Sequence, residues 1–170
     1  MSSITKTAYC IFCEGKDEER LADKLRGGYR YELLVPKRKS LWLRQGVYRQ
    51  EDTLLTPGYI FLYANAPIEA DKLAFLQAHY HFLSYTGGAS ALTGGDHAYA
   101  MWVYAHGGML GLTEAVRNPE TRRVEFLSGP LAEPICREIL RVKPKHRCAQ
   151  VALTFMGEPR PLWLSFALAG

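Results

Sequence analysis

The chain lacks any apolar run long enough to cross a bilayer, and its first residues show no basic stretch followed by an apolar one. A membrane-spanning helix is excluded on that ground, no membrane partner is expected, and the expected location is the cytoplasm. Catalytic motifs are missing too. There is no G-x-x-x-x-G-K-S/T, no G-x-G-x-x-G after a strand, no G-x-S-x-G and no H-E-x-x-H. Gly107-Gly108-x-x-Gly111 follows a helical pattern and reads as a helix end and loop, not as a phosphate cradle. No catalytic residue and no cofactor are expected, and the protein is not read as an enzyme.

Cysteine is scarce: Cys10, Cys13, Cys136 and Cys148. Cys10 and Cys13 lie in an apolar strand pattern, where alternation puts positions three apart on opposite faces. No second C-x-x-C completes a zinc site, so these read as buried structural thiols. His79 and His81 share a strand face without a third ligand. No metal is expected.

Net charge is small as well, 21 Lys and Arg against 17 Asp and Glu, for +4. Its distribution says more than its size. Residues 37–49 hold Lys37, Arg38, Lys39, Arg44 and Arg49 with no acid, for +5. Residues 50–116 hold Lys72 against Glu51, Asp52, Glu69, Asp71, Asp96 and Glu114, for −5, and carry half of the aromatic residues. From Arg117 to Cys148 the sign returns to +4. Such blocks suit a basic surface for phosphates beside an apolar, acid-rimmed body, although charges also simply solvate exposed faces.

At 170 residues and 48% hydrophobic, the chain is globular and sized for one ordinary domain or two small ones. Thr7 to Cys13 reads as a strand, Glu14-Gly15-Lys16 as a turn, and Asp17 to Arg26 as a helix ended by Gly27-Gly28. Leu21, Ala22 and Leu25 form its apolar stripe. Tyr31 to Val35 is a second strand. Lys39 to Arg44 and Val47 to Gln50 form a hairpin about Gln45-Gly46. Gly58 to Tyr63 is a strand. Ile68 to Tyr80 is a helix with Leu73, Leu76 and Phe75 facing inward, and His81 to Thr86 is a strand. Thr93-Gly94-Gly95-Asp96 has the form of a helix start, with a helix from Gly94 to His106. Two β-α-β halves flanking a hairpin suit a ferredoxin-like α/β sandwich. Residues 114–122 lose periodicity and read as a linker. Short strands follow at Val124–Leu127, Cys136–Val142, Cys148–Phe155 and Leu162–Leu168, a pattern that suits a small SH3-like barrel.

These elements and several local patterns resemble the NusG family of transcription elongation factors. Ala8-Tyr9-Cys10-Ile11 is similar to its first strand, and Thr56-Pro57-Gly58-Tyr59-Ile60-Phe61 to its Phe-Pro-Gly-Tyr motif, with Thr56 in place of an aromatic residue. Phe82 to Gly88 resembles the segment before its last helix. Val124-Glu125-Phe126-Leu127-Ser128-Gly129-Pro130-Leu131 and Lys145 to Val151 resemble parts of a KOW module, with Arg137 near the place of an expected glycine. Met156-Gly157-Glu158 followed by Leu162-Trp163-Leu164 resembles the LoaP branch of antiterminators. The resemblance covers essentially the whole chain.

It implies an α+β fold: a NusG N-terminal-like domain at 1–113, a linker at 114–122 and a KOW domain at 123–170. It further implies a monomer that binds RNA polymerase, suppresses termination or pausing, and is recruited by a nascent RNA hairpin. A ribosomal protein is a further partner implied for the KOW module. By the match, Pro57, Tyr59 and Phe61 fall where the family grips polymerase. Tyr59 and Phe61 share one sheet face, so they are either docking anchors or core under a helix. Lys37, Arg38, Lys39, Arg44 and Arg49 are the candidate RNA contacts; the alternative is a solvated ribbon. Trp42 and Tyr48 either stack on loop bases or pack the hairpin down. Arg137, Arg141, Lys143, Lys145 and Arg147 are a second basic series. The competing readings are a KOW-containing RNA-binding or ribosome-associated protein without polymerase contact, and a thiol enzyme using Cys10 or Cys13.

Overall fold

The computed structural model describes residues 5–13, 17–29 and 31–169. The expected Glu14-Gly15-Lys16 turn lies outside them. The fold is α+β. In chain order its first part runs β1 (Thr7–Phe12), α1 (Glu18–Gly28), β2 (Glu32–Leu34), β3 (Lys37–Arg44), β4 (Val47–Leu54), β5 (Tyr59–Ala64), α2 (Ala70–His79), β6 (His81–Phe82) and α3 (Gly94–Ala105). The rest is β7 (Met109–Leu110), β8 (Thr113–Arg117), β9 (Val124–Ser128), two 3-10 turns, β10 (Ile139–Lys143), β11 (Cys148–Val151), β12 (Thr154–Phe155), β13 (Glu158–Pro159) and β14 (Leu162–Ala169).

Two compact units emerge. The first comprises the described residues of 1–36 and 56–108, the second those of 37–55 and 109–170. In unit 1 the strands form one sheet of order β2-β5-β1-β6 with every neighbour antiparallel. Alternation sends Cys10, Phe61 and Tyr63 to one face and Tyr9, Ile11, Ile60 and Leu62 to the other. All of these are buried. α3 covers the first face: Tyr99 meets Phe61 edge-on, and the Tyr63 hydroxyl donates to the Ala100 carbonyl at 2.7 Å. The second face is buried along with Ala22 and Leu25 of α1 and Leu76 of α2.

Several local expectations shift. α1 runs through Gly27 and Gly28, ending where Tyr29 turns extended. Phe75 is exposed on α2, because Leu76 alone of that helix is buried. The Thr93 side chain makes no cap at α3. The Asp96 carboxylate instead accepts from the Tyr85 hydroxyl at 2.6 Å, and that hydroxyl accepts from the Thr93 amide at 3.0 Å. Burial, and then the bond to Asp96, holds the Tyr85 phenol above its ordinary value.

Unit 2 joins distant stretches of chain. Its larger sheet has the order β10-β11-β14-β8-β9, with β8 and β14 parallel. Its second sheet is β4-β3-β7. Residues 114–117, expected as linker, are thus strand rather than loop: β8 pairs with both β14 and β9. Thr113 and Ala115 face inward while Glu114 is exposed. The change between units falls at 36/37, 55/56 and 108/109, so the 37–54 hairpin belongs with the tail and 114–122 separates nothing. Ala149, Val151, Leu164 and Phe166 form the core of the larger sheet, with the Phe126 ring 5.5 Å from that of Phe166.

Candidate functional site

Two segments carry the residues expected to meet partners. The first is the Thr56–Phe61 bend in unit 1. Gly58 has φ +91°, a conformation open to glycine, and a Cβ there would sit 3.3 Å from the Phe12 ring. Its carbonyl accepts from the Cys13 amide at 2.6 Å, and its amide donates to the Glu18 carboxylate at 2.7 Å. Glu18 is therefore more than an acid at a helix start. It is buried, and it fixes the bend to α1. Sequence reading missed this role because a bond between residues forty apart leaves no local pattern.

The bend sorts its candidates. Pro57 is exposed and Tyr59 half-buried, its ring 5.5 Å from Phe12, which in turn meets His81 at 5.6 Å. Phe61 shares the face of Tyr59, as alternation requires, but is fully buried beneath Tyr99. Phe61 is a core residue. The covering helix decides this, and Pro57, exposed, and Tyr59, half-buried, remain as the accessible members of the set.

The second segment is the hairpin of unit 2. β3 and β4 pair along their whole length, from Lys37 with Leu54 to Arg44 with Val47. Gln45 and Gly46 both take positive φ, which suits the right-handed twist of a two-residue hairpin turn. Directly paired residues share a face. Lys37, Lys39, Leu41 and Leu43 therefore lie on one face with Tyr48, Gln50 and Asp52, and Arg38, Ser40, Trp42 and Arg44 on the other with Val47, Arg49 and Glu51.

The five basic candidates are accordingly not one patch. Arg38 holds the hairpin in place, donating to Thr53 Oγ1 at 3.2 Å and to the Trp163 carbonyl at 2.7 Å. Nearby, the Leu41 amide donates to Ser165 Oγ at 3.0 Å. Lys39 pairs with Asp52 at 3.3 Å, and Lys37 is half-buried at the base. Arg44 and Arg49 are exposed near the turn.

The two aromatic residues separate in the same way. The Tyr48 hydroxyl donates to the Lys145 carbonyl at 2.6 Å, and the Arg147 guanidinium lies 4.9 Å from the Tyr48 ring centre. Tyr48 thus ties the hairpin to the β10–β11 turn. Trp42 is 51% exposed on the opposite face. The second basic series is divided as well: Lys143 lies over the Trp163 ring at 4.8 Å, while Arg137, Arg141 and Lys145 are exposed.

Cys10, Cys13 and Cys136 are buried. Burial pushes the Cys136 thiol up to about 12, with the Glu133 charge adding to it, and burial also raises Cys148. A raised thiol is a poor nucleophile at neutral pH because little of it is thiolate. Among the described residues, no group of three or more His, Cys, Asp or Glu is placed to hold a metal ion. No helix among them is long and apolar enough to cross a membrane. Comparison with protein-family models and with curated proteins finds no match for this chain.

Proposed function

We propose that this chain is a transcription factor that binds RNA polymerase through unit 1, is recruited by a structured nascent RNA, and suppresses termination or pausing. The observation that supports it most is the wiring of unit 1. Two β-α-β passes give the antiparallel order β2-β5-β1-β6, which supports the ferredoxin-like reading, and a basic hairpin leaves the chain between them. That is the order of elements on which the resemblance to the NusG family rests. Unit 2 supports a KOW module less directly, since its sheets take in β3, β4, β7 and β8 besides residues 123–170.

In this reading Pro57 and Tyr59 dock on polymerase, while Arg44 and Arg49 meet RNA phosphates. One body holding the polymerase clamp closed resists the opening that termination requires. The burial of Phe61 favours a second reading, an RNA-binding protein without polymerase contact, because it leaves a smaller apolar anchor at the bend. Purified RNA polymerase separates the two. The first reading expects polymerase to be retained on the immobilised wild-type chain and lost with Tyr59→Ala. Retention of structured RNA with no polymerase at all supports the second.

A further inference from the structure

The outer face of the hairpin has features that neither folding nor phosphate binding accounts for. Trp42 is 51% exposed at its centre. Arg49 stands directly opposite it on β4, and Arg44 lies two residues along β3 on the same face. Directly paired residues place their Cβ atoms about 5 Å apart, and positions two apart along a strand are separated by about 7 Å. The indole is therefore flanked by two guanidinium groups within reach of whatever covers it. Residues 41–50 contain no acid, and Glu51 on the same face lies toward the base of the ribbon. Beyond the backbone ladder, neither guanidinium has a hydrogen-bond or ion-pair partner among the described residues. Tyr48, on the other face and 38% exposed, has its hydroxyl bonded to the Lys145 carbonyl and its ring partnered by the Arg147 guanidinium.

We infer that Trp42, Arg44 and Arg49 form a stacking platform for an unpaired base in the loop of the RNA, with the two arginines on the phosphates either side. The inference rests on the RNA-binding reading above and adds to it which part of the RNA is read. A base inside a duplex has both faces stacked on its neighbours and offers only its edges. A splayed loop base offers a face, and an exposed indole binds it through dispersion and π contact. An apolar protein pocket is a poor occupant by comparison, because closing over Trp42 would strip water from two unpaired guanidinium groups. A polyanion with planar bases answers both the ring and the charges.

The test titrates the full chain by fluorescence anisotropy against three labelled probes: an RNA stem with a randomised loop, the same stem with an abasic loop, and the blunt duplex. The wild type binds the looped stem about tenfold or more tightly than the duplex, and Trp42→Ala removes that margin. Trp42→Phe keeps most of it, and the abasic loop erases the difference between wild type and Trp42→Ala. Arg44→Ala and Arg49→Ala each lower the slope of log affinity against log salt by about 0.7 to 1. Thermal melts of every variant check that the hairpin is still folded. If Trp42→Ala binds the looped stem as tightly as the wild type, or loses loop and duplex equally, the platform is wrong and the RNA reading survives. If the wild type binds none of the three probes, both fall.

Discussion

Unit 1 and unit 2 reach a buried sheet by opposite routes. Unit 1 follows the chain: strand, helix and strand recur twice, and α3 closes the face left open, covering Phe61 and Tyr63. Unit 2 collects strands from stretches far apart in sequence, and its hairpin is fastened by Arg38, Leu41 and Tyr48 to residues about a hundred or more positions away. A contact surface survives where no helix covers the sheet. α3 covers Phe61 and Tyr63 of the first sheet and leaves Tyr59 half-buried at its end. The ribbon of the second is held by one face and its base, which leaves Trp42, Arg44 and Arg49 outward.

The largest effect is expected from cutting unit 2 where the sequence suggests a linker. A fragment of 123–170 loses β8, which stands between β14 and β9, and the hairpin that lies on β14. It should show no cooperative thermal transition, and a sharp one would mean that the tail is a self-sufficient barrel. Next in size, Phe61→Ala should destabilise unit 1 by about 3–5 kcal/mol in urea unfolding, as for other large buried rings. Tyr59→Ala should cost far less in the same measurement, because Tyr59 is half-buried. Glu18→Ala should cost about 1–3 kcal/mol, since it leaves the Gly58 amide without its acceptor in a buried place.

Smaller effects sharpen the contrast. Tyr48→Phe should lower stability by about 0.5–1.5 kcal/mol through the lost bond to the Lys145 carbonyl, whereas Trp42→Ala should stay within about 0.5 kcal/mol of wild type. Equal losses for the two would erase the distinction between a fastened and an outward face. Cys136 adds a pH signature to unit 2 that its own substitution isolates. Its folded thiol is raised from 9.0 to about 12, so the folded state holds the proton more tightly than the unfolded one. That contribution is complete below pH 9.0 and is lost as pH rises through about 12. Urea midpoints across this window should therefore fall more steeply for wild type than for Cys136→Ala.

Much of unit 1 was legible in sequence because its signals are local. The short apolar runs at Ala8–Phe12 and Ile60–Ala64, and the stripe of Ala22 and Leu25, placed strands and helix within a residue or two. Unit 2 was less legible for a physical reason. β8 turns Thr113 and Ala115 inward, one polar and one small, so its alternation carries little hydrophobic contrast and reads as loop. The hairpin itself was visible in Gln45-Gly46, but its bonds to Trp163, Ser165 and Lys145 are long-range and leave no mark near residue 40. At the bend, alternation placed Tyr59 and Phe61 on one face without revealing which end α3 covers. On the hairpin, the same pattern offered Trp42 and Tyr48 with no means of saying which one the rest of unit 2 would hold.

A purified transcription system tests whether RNA and polymerase act through one chain. A template transcribes a stem-loop leader ahead of an intrinsic terminator, and a second template lacks the leader. The wild-type chain should raise read-through on the first template and leave the second unchanged, and Tyr59→Ala should abolish the gain. Equal termination on both templates, with and without the chain, would contradict it.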